Sequence, residues 1–136
     1  MAERRPIGYW LKELDRLVTA RFEEDLAAGD LSRRQWQMLN SLAEGPRPAG
    51  EVRDGLAPFW TEAGEWDAQL ARLVERGLVV EDSGKLSLTD VGRATHDDAF
   101  ARIGRRRRAM VEGITDEQYL ETVRILEKMA ANMAAE

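Results

Sequence analysis

Apolar residues recur at three- and four-residue steps along most of the chain, as they do on one face of an α-helix. The pattern predicts six helices, over about 6–28, 32–43, 48–56, 61–76, 89–112 and from 115 to the carboxyl end. Between the fourth and fifth helices, the short apolar runs 78–80 and 85–88 flank Glu81-Asp82-Ser83-Gly84, which predicts a tight β-hairpin. The predicted fold class is therefore mainly α: a winged helix-turn-helix with a short β-hairpin wing and additional helices on both sides.

Capping signals support the helix boundaries. The segments 32–35 and 115–118 have the Ser/Thr-x-x-Gln spacing of a capping box, in which both side chains accept hydrogen bonds from otherwise unpaired backbone N–H groups. Gly29 and Gly77 are placed to end the first and fourth helices. Thr89 is placed to cap the fifth.

The helices at the two ends have more apolar residues than so small a winged-helix core can cover. Their apolar stripes consist of Ile7, Leu11, Leu14, Val18 and Phe22 in the first helix, Val91, Phe100, Ile103, Met110 and Ile114 in the fifth, and Tyr119, Val123, Leu126, Met129 and Met133 in the sixth. We expect a homodimer in which a second copy buries these stripes. The chain is thus predicted to be one domain, 1–136, with a winged-helix lobe at about 30–90 and dimerisation helices at about 6–28 and 90–135.

The composition fits a globular protein, since 43% of the 136 residues are hydrophobic and 33% are charged. No apolar run is long enough to cross a bilayer. The amino-terminal residues lack the apolar core of a signal peptide, and the absence of cysteine excludes disulfides and thiolate metal sites. We therefore expect a cytoplasmic protein with no membrane partner.

The motifs that support catalysis are not found. The carboxylates form no pair in apolar surroundings, and the chain has no glycine-rich phosphate loop or nucleophile motif. His96 is the only histidine, so a zinc site with two histidines is excluded. We expect neither enzymatic activity nor a metal or cofactor.

In its order of short motifs the chain resembles the MarR family of winged-helix transcription regulators. The first matching block is Gly8-Tyr9-Trp10-Leu11, and the second is 31–36 together with Leu39 and 42–46. The third is Leu70 and Leu73 together with 75–79, and the last two are 86–93 and 113–117. The resemblance implies a dimer with interlocked first, fifth and sixth helices. It also implies that the fourth helix enters the major groove of operator DNA. Many such proteins repress transcription and release DNA when a small phenolic or otherwise anionic ligand binds.

The segment expected to face DNA is acidic, unlike the family pattern. Residues 61–84 include two positive and six negative side chains, and the predicted wing is short. Carboxylates repel phosphates, although an acidic side chain can accept a hydrogen bond from cytosine N4. Cations from other parts of the lobe must then bind the phosphates. The predicted DNA-binding residues are Arg33, Arg34, Arg53, Thr61, Glu65, Arg72 and Lys85, with Arg47 as a further cation.

These observations leave two functions open. The first is a DNA-binding regulator, a ligand-responsive repressor that acts as a homodimer. The alternative is a winged-helix dimer with weakened or lost DNA binding, which serves as a small-molecule-binding or protein-interaction module. Salt-dependent binding to DNA separates the two.

Three residues are candidates for contact with a small anionic or phenolic ligand. Trp10 lies near the start of the first helix, where it either lines a pocket or packs in the core or dimer. His96 is either a ligand or pH-sensing contact or a partly buried structural histidine. Arg107 falls on an apolar stripe, where a buried guanidinium needs a partner, either an interhelical carboxylate or an anionic ligand.

The run Arg105–Arg108 is the strongest local concentration of charge. Four consecutive helical residues point in different directions, so they do not form one nucleic-acid-binding patch. We expect solvated surface and ion pairs with Glu23, Glu24 or Asp25 instead.

Overall fold

The computed structural model describes residues 4–136 and confirms the mainly α, winged helix-turn-helix class. The helices are α1 (Ile7–Ala27), α2 (Arg33–Ser41), α3 (Ala49–Gly55), α4 (Glu65–Glu75), α5 (Asp90–Met110) and α6 (Asp116–Ala134), with a short 3₁₀ turn at Ala57–Phe59 between α3 and α4. The strands are β1 (Arg47–Pro48), β2 (Val79–Asp82) and β3 (Lys85–Leu88). The turn at Ala57–Phe59 and strand β1 were not predicted.

The three strands form one antiparallel sheet in the order β1-β3-β2. Val79 pairs with Leu88 and Asp82 with Lys85, so only Ser83 and Gly84 form the turn of the wing. Both turn residues have positive φ, 53° and 79°, as a type I′ hairpin turn requires. The prediction of a four-residue turn was wrong because Glu81 and Asp82 continue the strand.

Most helix ends follow the predicted capping chemistry. Both capping boxes are present, at Ser32 with Gln35 and at Thr115 with Gln118. Gly77, with φ of 75°, follows α4 as expected. The prediction that Gly29 closes α1 was wrong, because Asp30 adopts the left-handed conformation there.

Helix α4 begins at Glu65 and not at residue 61 or 62. The residue before it, Gly64, has φ of 81°, a left-handed conformation that interrupts right-handed helical geometry. Thr61 therefore lies in the connection that leads into the helix. The inward face of the helix is unchanged by the later start, since Trp66, Leu70 and Leu73 pack toward the core as predicted.

The chain divides after Ile103 into two compact units. In the first unit, α2, α3, α4 and the sheet enclose a core whose most completely buried side chains are Leu26, Met38, Leu39, Leu42, Val52, Leu73 and Leu86. Trp36 is buried in this core, as predicted. Trp66 packs against the core and remains partly exposed. The second unit, 104–136, contains the end of α5 and all of α6, and no residue of α6 is buried.

The junction between α4, the wing and α5 is a close backbone contact. Leu78 donates its N–H to the Leu73 carbonyl at 3.0 Å, and its own carbonyl accepts from Thr89 N–H at 3.1 Å. The Thr89 hydroxyl donates to the Gly77 carbonyl and accepts from Gly92 N–H at 2.9 Å, so Thr89 caps α5 as predicted. A Cβ atom at Gly92 would lie only 1.9 Å from the Leu78 carbonyl oxygen.

Gly92→Ala is therefore expected to destabilise the lobe. The added methyl group forces the two backbones apart, and we expect a loss at or above the upper end of the roughly 1–3 kcal/mol typical of overpacking. The measurement is urea denaturation at fixed protein concentration. The control is Gly50→Ala in α3, where the new methyl meets only the Arg53 side chain at 3.7 Å; equal effects of the two changes would contradict the close-contact explanation.

Candidate nucleic-acid interface

The helix-turn-helix consists of α3 and α4, and the wing is attached to its first helix. Ala49 at the start of α3 donates its N–H to the carbonyl oxygen of Gly84, in the turn of the wing, at 2.9 Å. Pairing of Pro48 with Lys85 joins the same two regions through the sheet. The wing tip is thus held in a fixed position beside α3.

Helix α4 has one inward and one outward face. Leu73 is buried, and Trp66 and Leu70 are partly buried against the core. The exposed residues of the helix are Asp67, Ala68, Ala71, Arg72, Val74 and Glu75. Their spacing at 100° per residue places them on a continuous arc, which gives α4 the open face that a recognition helix needs.

Glu65, predicted to contact DNA, is engaged within the protein. Its carboxylate accepts from Thr61 N–H at 3.1 Å and lies 4.0 Å from Arg34 Nε, and its side chain is only 22% exposed. Arg34 donates to Gln37 Oε1 at 2.9 Å and its guanidinium lies over the ring of Phe59. These contacts hold the connection before α4 against α2.

Three further cations of the predicted set have carboxylate neighbours. Arg33 lies 3.9 Å from Glu23, and Arg53 lies 3.4 Å from Asp54. Arg47, the further cation, lies 2.7 Å from Glu51. Each of these ion pairs is solvent-exposed, so an incoming phosphate competes with it at modest cost.

Arg72 and Lys85 differ from the other cations. Both side chains are exposed, and within residues 4–136 neither forms an ion pair. Arg72 lies on the outward face of α4, and Lys85 follows the turn of the wing. Helix α4 and the wing therefore each present one cation that is available to an anionic partner.

His96 is a structural residue by its surroundings. It is 5% exposed and lies between the rings of Trp36 and Phe100, with centroid distances of 5.0 and 5.8 Å. Its Nδ1 is 2.9 Å from an Asp97 carboxylate oxygen and its Nε2 is 2.9 Å from the Asn40 side-chain oxygen. With both nitrogens engaged, His96 joins α5 to α2 and presents no polar atom to a ligand.

The other two candidate ligand residues are exposed. Trp10 is 56% exposed and contacts Tyr9 edge-to-face at 4.9 Å. Arg107 is exposed in the second unit, as is its stripe neighbour Met110 (43%). The expectation that its guanidinium pairs with an interhelical carboxylate or an anionic ligand stays a prediction. The run Arg105–Arg108 is exposed throughout, as expected of a solvated surface.

Residues 4–136 contain no cluster of three or more acidic, histidine or cysteine residues that could hold a metal ion. In the same part of the chain, no helix is long and apolar enough to span a membrane.

Comparison with known proteins identifies the fold class. No protein-family model and no protein of curated function matches the sequence. Among solved structures, the chain is similar to the transcriptional repressor CouR (27% identity, 93% of each chain covered, TM-score 0.68). It is also similar to the Mycobacterium tuberculosis MarR family protein Rv2887 in complex with DNA (22% identity, 93% of this chain and 98% of that one, TM-score 0.67).

A third similar structure is NadR in complex with 4-hydroxyphenylacetate (22% identity, 96% of this chain and 98% of that one, TM-score 0.68). These proteins share one architecture, a winged helix-turn-helix with helices on both sides. The chain therefore has the MarR-type winged-helix fold, which confirms the fold implied by the resemblance in sequence.

Proposed function

We propose that this protein is a homodimeric, DNA-binding transcription regulator that acts as a ligand-responsive repressor. The observation that carries the proposal is the MarR-type winged-helix fold in which one whole face of α4 is open to solvent. Two similar structures support it: Rv2887 is solved in complex with DNA, and CouR is a transcriptional repressor. In this arrangement α4 enters the major groove and the wing contacts the adjacent backbone.

Arg72 and Lys85 supply the proposed phosphate contacts with the least competition from the protein's own carboxylates. Contacts of this kind release condensed counterions from DNA, so affinity falls as salt rises. Arg33, Arg34 and Arg53 add to the positive potential, but each must first give up a carboxylate neighbour. Glu65 and Thr61 have a positioning role in this scheme, because they fix the start of the recognition helix.

Arg72→Ala is expected to weaken binding to a random-sequence DNA duplex at every salt concentration. Because a dimer has two copies and each phosphate contact contributes about −0.9 to the slope of log affinity against log salt, the slope should shrink by about two. Fluorescence anisotropy with labelled duplex measures both quantities. Arg16→Ala in α1, which removes one exposed arginine outside the lobe, should leave the slope unchanged.

A second function has support in the electrostatics. Residues 61–84 are acidic, and five arginines of the lobe are close to carboxylates. A dimer that has lost DNA contact and binds small molecules or proteins would have such a surface. If wild-type protein shows no DNA binding at low salt, or binding that salt does not weaken, this second function replaces the first.

The homodimer is proposed from the exposed apolar residues of the end helices. In α1, Ile7, Trp10, Leu11, Leu14 and Val18 are each 47–56% exposed. In α6, Tyr119, Val123, Leu126, Met129 and Met133 follow one stripe and are each at least 36% exposed. Full burial of one such side chain contributes about 1.5–3 kcal/mol, so covering two stripes in each copy is enough to support a stable dimer.

Leu126→Glu is expected to dissociate the dimer. It places a charge in the middle of the α6 stripe, where burial without a partner is costly. Light scattering after size exclusion at micromolar concentration should give twice the 15.4 kDa chain mass for wild type and one chain mass for the variant. Lys128→Glu, on the opposite side of α6, is the matched control and should remain dimeric; a folded wild-type monomer would contradict the proposal.

The ligand response is proposed for a small aromatic carboxylate or phenol. NadR is solved with 4-hydroxyphenylacetate, which has both groups. Arg107 and Trp10 are two separate exposed candidates: Arg107 can pair with a carboxylate, and Trp10 can contact an aromatic ring. His96 is not included because its ring nitrogens are engaged.

Arg107→Ala is expected to reduce affinity for 4-hydroxyphenylacetate by about 10- to 100-fold, since charge-assisted hydrogen bonds contribute about 1.5–3 kcal/mol. Tryptophan fluorescence titration measures the binding. Arg108→Ala, the adjacent exposed arginine, is the control. Equal affinity of wild type and Arg107→Ala would remove Arg107 from the ligand site.

A further inference from the structure

We infer that Asp67 is the side chain on α4 that reads the DNA sequence, and that it selects cytosine. The inference rests on the proposed DNA-binding function and deepens it by naming the base preference. Of the two carboxylates in the first turn of α4, Glu65 and Asp67, only the second is presented to a partner.

The two carboxylates have opposite surroundings. Glu65 is turned back toward the protein, where it accepts from Thr61 N–H and approaches Arg34. Asp67 is exposed, and among residues 4–136 it has no hydrogen-bond or ion-pair partner. The acceptor capacity of Asp67 is therefore available for an external donor, whereas that of Glu65 is already used.

The neighbours of Asp67 let its short side chain reach a base edge. In the first two turns of α4, Ala68 and Ala71 occupy the middle of the outward arc, with Asp67 on one side and Arg72 on the other; Glu75, also on this arc, lies one turn further toward the carboxyl end. Since alanine has no atoms beyond Cβ, the helix backbone can come close to the groove floor. Alanine methyl groups can also contact the methyl group of thymine at adjacent positions.

The preference for cytosine follows from the donors and acceptors of the major groove. A carboxylate is only an acceptor, so it is repelled by the acceptors of guanine and by O4 of thymine. Cytosine N4 and adenine N6 are the available donors. The adenine amino group lies between two acceptors, N7 and thymine O4, whereas the cytosine amino group has an acceptor on one side only. Asp67 therefore discriminates in favour of cytosine.

Selection of binding sites from a random duplex library tests the inference. The wild-type protein should enrich a two-fold symmetric site with one cytosine position per half-site preferred about tenfold over other bases. Asp67→Asn should move the preference at that position to adenine, because asparagine bonds to N6 and N7 together. Glu62→Gln removes the same charge from the exposed connection just before α4 and should leave the selected sequence unchanged.

The matched pair separates charge from base reading. Both substitutions reduce phosphate repulsion by one charge, so both should raise affinity for non-specific DNA to a similar extent. Only Asp67→Asn should change the sequence. An unchanged site with Asp67→Asn, or loss of the cytosine with Glu62→Gln, would overturn this inference alone. Failure of wild type to bind any duplex at low salt would overturn the proposed function, and this inference with it.

Discussion

The position of α4 depends on one close backbone contact, between Gly92 at the start of α5 and the carbonyl of Leu78. The segment from Gly77 to Leu78 ends α4 and leads into the wing, and Thr89 binds the same segment from the other end of the hairpin. Strands β2 and β3 pair along their length, and hydrogen bonds between Thr89 and the segment 77–78 join the two ends of the hairpin. Because α4, the sheet and α5 all meet there, their relative directions in the lobe are set by backbone geometry rather than by adaptable side chains.

Local chemistry was enough to predict most of the elements. A capping box depends on side chains three residues apart, so Ser32 with Gln35 and Thr115 with Gln118 were readable from sequence. The left-handed conformations of Asp30 and Ser83 could not be predicted in this way. They depend on how the chain must turn to reach the next element. Strand β1 is only Arg47–Pro48, and it exists through its pairing with β3, a contact between distant parts of the chain.

The site was less predictable than the fold, because the role of a charged residue depends on its neighbours in space. Arg34 and Glu65 are 31 positions apart in the sequence, and their proximity withdraws Glu65 from the outer face of α4. Asp67 could not be distinguished from Glu65 for the same reason, since only the folded chain shows which of the two carboxylates in the first turn of α4 has partners within the protein. His96 shows the converse, since a residue with possible chemistry is occupied by Asn40, Asp97 and two aromatic rings.

Under the proposed function, the acidic character of α4 and the apolar stripes of α1 and α6 belong to one energetic scheme. Carboxylates near DNA repel phosphates at every sequence, so they weaken specific and non-specific binding by similar amounts. A hydrogen bond from cytosine to Asp67 forms only at the right sequence and is lost elsewhere. The ratio of specific to non-specific affinity therefore rises while the affinity of a single lobe falls. A lobe of this kind needs a second, physically linked lobe to bind tightly, since two joined sites gain from their high effective concentration. The exposed stripes on the end helices supply a surface through which two copies can be linked.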